Sequence, residues 1–183
     1  MFSSLDLSIL NLCNNIHNPI LDKIMLFFTY SASNGFIWIS IILILLFLKN
    51  TRVYGFASLT ALGITMLLGN KLLKNHFDRD RPFVSFPSLR ILVESSGTNS
   101  FPSSHAATAF TVFGIFYFFN LEYKWVVFLF ALGISLSRIY LNLHYFSDVV
   151  VGAMLGLLVS YIIFTITNKI IKYSKKPIVE NIN

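Results

Sequence analysis

Residues 149–168 read VVVGAMLGLLVSYIIFTITN, 20 positions without a single Asp, Glu, Lys or Arg. A helix needs about 20 predominantly apolar residues to cross the hydrocarbon of a bilayer, so this stretch alone predicts a membrane span. Gly152 and Gly156 within it lie four apart, a spacing that lets two membrane helices approach closely. Upstream, residues 24–48 and 53–70 are also free of formal charge, over 25 and 18 positions. Composition agrees. Of 183 residues, 55% are hydrophobic and 12% charged, against roughly 45–50% and roughly 25% in soluble domains. A soluble core of this size could not hide so much apolar surface, and a disordered chain would not carry it. The protein is integral to a membrane.

Outward from that stretch the other elements fall into order. Residues 125–143 carry one charge, Arg138, and residues 106–121 are apolar with Glu122 and Lys124 at their exit. Residues 53–70 are entered from the basic turn Lys49-Asn50-Thr51-Arg52. Residues 24–48 have a weak point at Ser31-Ala32-Ser33-Asn34-Gly35, which makes them one tilted span or a short helix followed by a second. Residues 1–18 mix apolar and polar positions and predict a short interfacial helix. The expectation is an all-α, polytopic transmembrane helical bundle of five to six spans, forming one domain over residues 1–183.

The net charge of +6 with pI about 9.5 comes from no basic run in a polar domain, so nucleic acid is not a partner; the lipid bilayer is. Cytoplasmic ends of membrane helices retain Lys and Arg. Placing the Lys49/Arg52 turn, the Glu122/Lys124 turn and the basic tail of residues 169–183 in the cytoplasm puts seven cations there: Lys49, Arg52, Lys124, Lys169, Lys172, Lys175 and Lys176. The other side then holds six, Lys71, Lys74, Arg79, Arg81, Arg90 and Arg138, with Lys23 assigned to neither. A balance that close implies that several of the six are kept for chemistry. The single cysteine, Cys13, allows no internal disulfide and no Cys-based metal site. With no cation before Lys23, the N-terminus does not read as a cleaved signal peptide.

Three polar islands interrupt the apolar pattern, and the threading above lands all three on one face of the membrane. The first is Lys74-Asn75-His76-Phe77-Asp78-Arg79-Asp80-Arg81-Pro82. On a continuing helix, Lys74 and Arg81 are nearly two turns apart and share a face, which suits an anion with several oxygens; cations snorkelling at a membrane boundary give the same pattern. The second is Phe101-Pro102-Ser103-Ser104-His105, just before an apolar helix. Serine caps a helix start, and the unpaired N–H groups there form an anion site. His105 in the same turn can protonate whatever leaves that anion, or it is incidental to a capped helix. The third runs from Ser137 to Asp148. Arg138 in an apolar span marks function by default. His144 and Asp148 are four apart, so the carboxylate can orient the imidazole and leave its other nitrogen free to attack; a structural pair at a helix start is the alternative. Together these groups meet the needs of phosphoryl transfer, which are positioning and stabilisation of charge spread over three oxygens.

Lys-x6-Arg-Pro at residues 74–82, Pro-Ser-x-His at 102–105 and Ser-Arg-x5-His-x3-Asp at 137–148 resemble, in order and spacing, the three motifs of the type 2 phosphatidic acid phosphatase (PAP2) superfamily. The resemblance implies a PAP2/haloperoxidase-like helical core and a metal-independent lipid phosphatase without cofactor, acting on a membrane lipid phosphate. It implies a multi-pass protein of the cell (inner) membrane, with residues 74–104 as an active-site loop facing the periplasm or cell exterior. By the same likeness His144 is the nucleophile that forms a phosphohistidine, Asp148 orients it, and His105 protonates the leaving group. Lys74, Arg81, Arg138, Ser103 and the Ser104 amide bind phosphate. Ser104 stands where the family most often has Gly, a departure that bears on substrate choice. Among family substrates a polyprenyl diphosphate such as undecaprenyl diphosphate leads, ahead of phosphatidylglycerophosphate, phosphatidic acid and phosphorylated lipid A. A transporter would instead place ionisable groups near the bilayer midplane in paired halves, and haloperoxidases of similar site are largely soluble.

Outside the motifs, His76 reads as a boundary histidine. Asp78 and Asp80 are too few for a hard-cation site and balance Arg79 and Arg81. Arg90 and Glu94 shape the headgroup mouth, and Trp38 and Trp125 are interface anchors.

Overall fold

Small polar residues decide where the first helices begin. In the computed structural model, which describes residues 3–93 and 97–174, α1 (Ser4–Asn15) starts at Ser3, whose hydroxyl accepts the Asp6 amide at 3.0 Å. Asn18 caps α2 (Pro19–Ser31) by accepting from the Ile20 and Leu21 amides, and Pro19 sits at the first helical position, where no N–H is needed. The weak point at residues 31–35 is a real break. Asn34 and Gly35 both have positive φ, 53° and 72°, and α3 (Phe36–Phe47) leaves α2 at 49°. Asn and Gly are the residues that enter the left-handed region at least cost.

A tight basic turn leads into α4 (Arg52–Met66), which continues through a π-helical stretch at Leu67–Leu73 into α5 (Lys74–Phe77). The chain then crosses one end of the bundle through α6 (Pro82–Ser85) and an extended return, with Asp80 bridging Asn99. Next come α7 (Ser104–Phe118), α8 (Lys124–Tyr140) and α9 (Phe146–Ser174). All regular structure among the described residues is helical apart from that isolated bridge, as the composition leads one to expect.

The bundle is built around α7, which packs on α4, α8 and α9. A helix apolar on every face must be enclosed, and α7 buries Ala106, Ala109, Val112 and Ile115 completely. Gly152 and Gly156 supply the close approach: a methyl at either would run into the α7 backbone, at the Ser103 and Ala107 carbonyls. Hydroxyls knit α7 to its neighbours, with Thr65 of α4 and Thr111 2.8 Å apart and Ser160 of α9 donating to the Thr111 carbonyl at 2.8 Å. The outer surface is apolar by contrast, carrying Phe47, Phe56, Leu129, Met154 and Leu158. That inside-out distribution suits a lipid surround.

By length and composition, two helices among the described residues can cross a membrane, Arg52–Phe77 and Phe146–Ser174, or three if the bent pair Pro19–Ser31 and Ser33–Phe47 counts as one span. The expected five to six spans are therefore not reached on this measure. α7 has 15 residues and α8 has 17, or about 22 and 25 Å at 1.5 Å per residue. Trp38 is also misplaced by the sequence reading: it is 1% exposed in the core, whereas Trp125 is 59% exposed. In the basic tail, Lys169 and Lys172 extend α9, while Lys175 and Lys176 lie outside the described residues, as does Glu94.

Candidate active site

The three islands meet at the end of the bundle where α7 begins. Arg138 occupies the last turn of α8, buried, and its Nη1 donates to Thr29 Oγ1 on α2 at 2.6 Å. The α8 carbonyl at Arg138 then accepts the amides of both Leu143 and His144, at 3.0 and 3.1 Å. Asn142 turns the chain with φ 58°. This tight turn sets His144 below the start of α9, 1% exposed.

The expected direct His144–Asp148 hydrogen bond is replaced by a mediated one. Nδ1 of His144 lies 3.7 Å from Asp148 Oδ2, and Ser100 Oγ stands between them, 3.3 Å from Nδ1 and donating to Oδ2 at 2.5 Å. The Tyr145 amide also donates to Oδ2, at 2.9 Å. Arg79 holds the other carboxylate oxygen, Nη1 to Oδ1 at 2.5 Å, and its Nη2 reaches Asp6 on α1 at 2.8 Å. Arg79 is thus paired with Asp6 and Asp148, not with the neighbouring Asp78 and Asp80.

Lys74 and Arg81 do not share a helical face. The helix ends at Phe77 because Asp78 takes φ 35°. Residues 79–81 then run extended against 98–100, with the Arg81 amide donating to the Thr98 carbonyl at 3.1 Å and the Ser100 amide to the Arg79 carbonyl at 2.6 Å. A residue before proline favours that conformation, and Arg81 has φ −74° and ψ 157°. Arg81 is 6% exposed and donates to the Leu143 carbonyl at 3.3 Å. Arg90 ties the connection to α2 through Asp22 at 3.0 Å. His76 stacks edge-on with Phe77.

Ser103 caps α7, its hydroxyl accepting the Ala106 amide at 3.5 Å, while its own amide donates to the Asp148 carbonyl at 3.0 Å. Ser104 donates its hydroxyl to Asn70 Oδ1 in the π-helical stretch. Both serines therefore belong to the site's framework. Ser104, His105, Asn70, Asn34 and Trp38 line a cavity of about 400 Å³ that runs from the α2–α3 break to the start of α7.

His105 lies within electrostatic range of Arg138, His144, Arg81 and Lys74, and Lys74 within range of Arg81, Arg138 and Asp148. Burial pushes His144 down to about 3; Asp148 opposes that shift, and Arg138 and Arg81 add to it. The imidazole is neutral at pH 7, the form in which a ring nitrogen can attack. Burial would raise Asp6, but the Ser147 amide and Arg79 outweigh it and hold the carboxyl below its ordinary value. Among the described residues no three His, Cys, Asp or Glu side chains gather as metal ligands would. The arrangement offers a neutral imidazole, and a second imidazole with three cations in its electrostatic range. It can bind a tetrahedral anion and exchange one of its substituents.

Residues 53–172 match the family profile of the PAP2 superfamily. The chain belongs to the PAP2 superfamily. Among curated PAP2 relatives, it is 31% identical over 101 residues to the bacitracin transport permease protein BcrC of Bacillus licheniformis, a match covering 55% of this chain and about half, 49%, of that protein. It is 29% identical over 149 residues to the undecaprenyl-diphosphatase BcrC of Bacillus subtilis, covering 81% of this chain and 76% of that one. Its fold superposes on the crystal structure of Aquifex aeolicus LpxE with a TM-score of 0.80 at 27% identity, covering 89% and 96% of the two chains. For the PAP2-type phosphatidylglycerolphosphate phosphatase of Bacillus subtilis the TM-score is 0.73 at 29% identity, covering 96% and 88%.

Sequence reasoning missed Ser100, Arg79, Asp6 and Thr29. Their bonds to the site join residues 48, 69, 73 and 109 positions apart, respectively, beyond any local spacing rule. One signal was present for Asp6: it is the only formally charged side chain among the first 21 residues, and a lone carboxylate that becomes buried needs a partner.

Proposed function

We propose that this PAP2 protein is a membrane lipid phosphatase that removes a terminal phosphate from a lipid phosphate or diphosphate. The observation that carries this reading is that His144, Lys74, Arg81 and Arg138 all lie within electrostatic range of His105, which itself lines a mostly apolar cavity. Lys74, Arg81, Arg138, the Ser103 hydroxyl and the Ser104 amide hold the phosphoryl oxygens, whose charge spreads in the transition state. Nε2 of His144 attacks phosphorus while the bond to the lipid oxygen breaks, and His105 gives that oxygen a proton. Water then attacks the phosphohistidine, giving up its proton to His105, and inorganic phosphate departs with His144 restored. Asp148 orients His144. No step requires a metal.

The substrate we favour is undecaprenyl or another polyprenyl diphosphate, supported by the name of the Bacillus subtilis relative. Phosphatidylglycerophosphate, phosphatidic acid and lipid A phosphates come next, the first supported by the second solved structure. Residues 1–183 act as one domain in the cell membrane, the site on the periplasmic or outer side and residues 74–104 forming its rim. Phosphate release from a panel of these lipids in detergent, with and without chelator, tests the reading. Release from none of them, or release lost with chelator, overturns it. A transport role has the name of one relative behind it, but the charges here crowd the helix ends and not the midplane that transport sites occupy.

A further inference from the structure

The three motif matches leave out the residues that hold Asp148 in place. Asp148 is fully buried, one oxygen taken by Ser100 and the Tyr145 amide and the other by Arg79. Arg79 is fixed in turn. Its guanidinium lies 4.2 Å over the Tyr145 ring, donates to Ser147 Oγ at 2.8 Å and pairs with Asp6 at 2.8 Å. Asp6 closes the circuit by accepting the Ser147 amide at 2.9 Å and its hydroxyl at 2.8 Å. Asp6 is 2% exposed and sits on α1, which packs on α8 and α9 outside the family-matched residues 53–172.

We propose that Asp6 and Arg79 are positioning residues for the phosphoryl-transfer step, so that the N-terminal helix is a working part of the active site. This rests on the reading of His144 and Asp148 given above. One guanidinium lies between two buried carboxylates. Asp6 takes up part of the Arg79 charge, and so leaves Asp148 enough negative charge to hold and polarise the imidazole. With Asp6 neutral, more of the Arg79 charge falls on Asp148 and its grip on His144 weakens. A buried network of this kind is sensitive to the loss of any member. The phosphate cradle of Lys74, Arg81 and Arg138 is left as it was.

The test is steady-state kinetics on purified full-length protein with the lipid phosphate it turns over fastest, alongside melting curves in the same detergent. Asp6→Asn, which keeps the side-chain shape, and Asp6→Ala are expected to lower kcat about 10- to 100-fold with KM within about twofold. Arg79→Ala in the Asp6→Ala background is expected to add less than about threefold. Leu10→Ala truncates a buried apolar side chain of the same helix that makes none of these hydrogen bonds; it is expected to lower the melting temperature with kcat within about twofold. Wild-type kcat in both Asp6 variants overturns the proposal, and so does a kcat loss in Leu10→Ala equal to that in Asp6→Ala. His144→Ala is measured in parallel. If it is inactive while the Asp6 variants are fully active, the positioning role alone fails; if it is active, the underlying reading fails with it.

Discussion

The two ends of α7 each border a cavity of nearly the same size, and they differ in almost everything else. At the N-terminal end, about 400 Å³ is lined by Asn34, Asn70, Ser104 and His105, next to buried Arg81, Arg138, Asp148 and His144. At the C-terminal end, about 420 Å³ lies among Ile41, Leu45, Phe116, Val126 and Val127, with Glu122 at one side. Volume does not tell a reactive site from a gap between apolar helices. The lesson is in the polar inventory. The first end keeps charged groups under cover by pairing them, which is costly unless each finds a partner, whereas the second holds little that would need one.

The comparison breaks most sharply at the histidines. His144→Ala and His105→Ala are each expected to cut phosphate release at least about 10³-fold, since the proposed nucleophile and general acid are lost outright. Full release by either variant, folded as judged by its elution in detergent, would remove that end's claim. Arg138→Ala is expected to cost about 10²-fold in kcat/KM, in the range for one group stabilising transition-state charge. An unchanged kcat/KM would assign Arg138 to Thr29 and the packing of α2 alone.

A pH titration sharpens the contrast in stability. His144 falls from 6.5 in the unfolded chain to about 3 when buried, so between those values the unfolded chain takes up a proton that the folded one refuses. Its contribution is present in full above about pH 6.5 and is lost as pH falls toward 3. The melting temperature should decline over that window, and His144→Gln should flatten the decline. An unaltered slope in the variant would show that other groups control it.

Smaller effects follow. Ser104→Gly removes the hydroxyl bonded to Asn70 but keeps the amide. It is expected to shift KM between lipid phosphates by a few-fold at near-constant kcat, read from the ratio of KM values for two headgroups. Val126→Phe, filling the other cavity, is expected to leave kcat and KM within about twofold; a larger change would tie that end to catalysis.

How much could be read in advance divides along the same line. The bundle class followed from uncharged windows, because burying or exposing apolar helix faces is a matter of composition and period. Ser103 as a cap and the close packing at Gly152 and Gly156 were legible too, being local rules. The Lys74–Arg81 register was not, because it assumed a helix that Asp78 ends by turning left-handed. Nor was the pairing of Arg79, which the sequence pattern assigns to its nearest acidic neighbours. Trp38 failed for a related reason: an indole at a helix break reads as an interface anchor until the fold closes over it.

From the order of its residues alone, this protein was committed to helices in lipid and to histidines and cations at one set of helix ends, since hydropathy and turn chemistry act over a few neighbouring positions. Only the folded bundle decided that Asp6, Arg79 and Ser100 would surround Asp148. Those partners are brought in from distant parts of the chain, and buried charge is satisfied by whatever lies nearest in space.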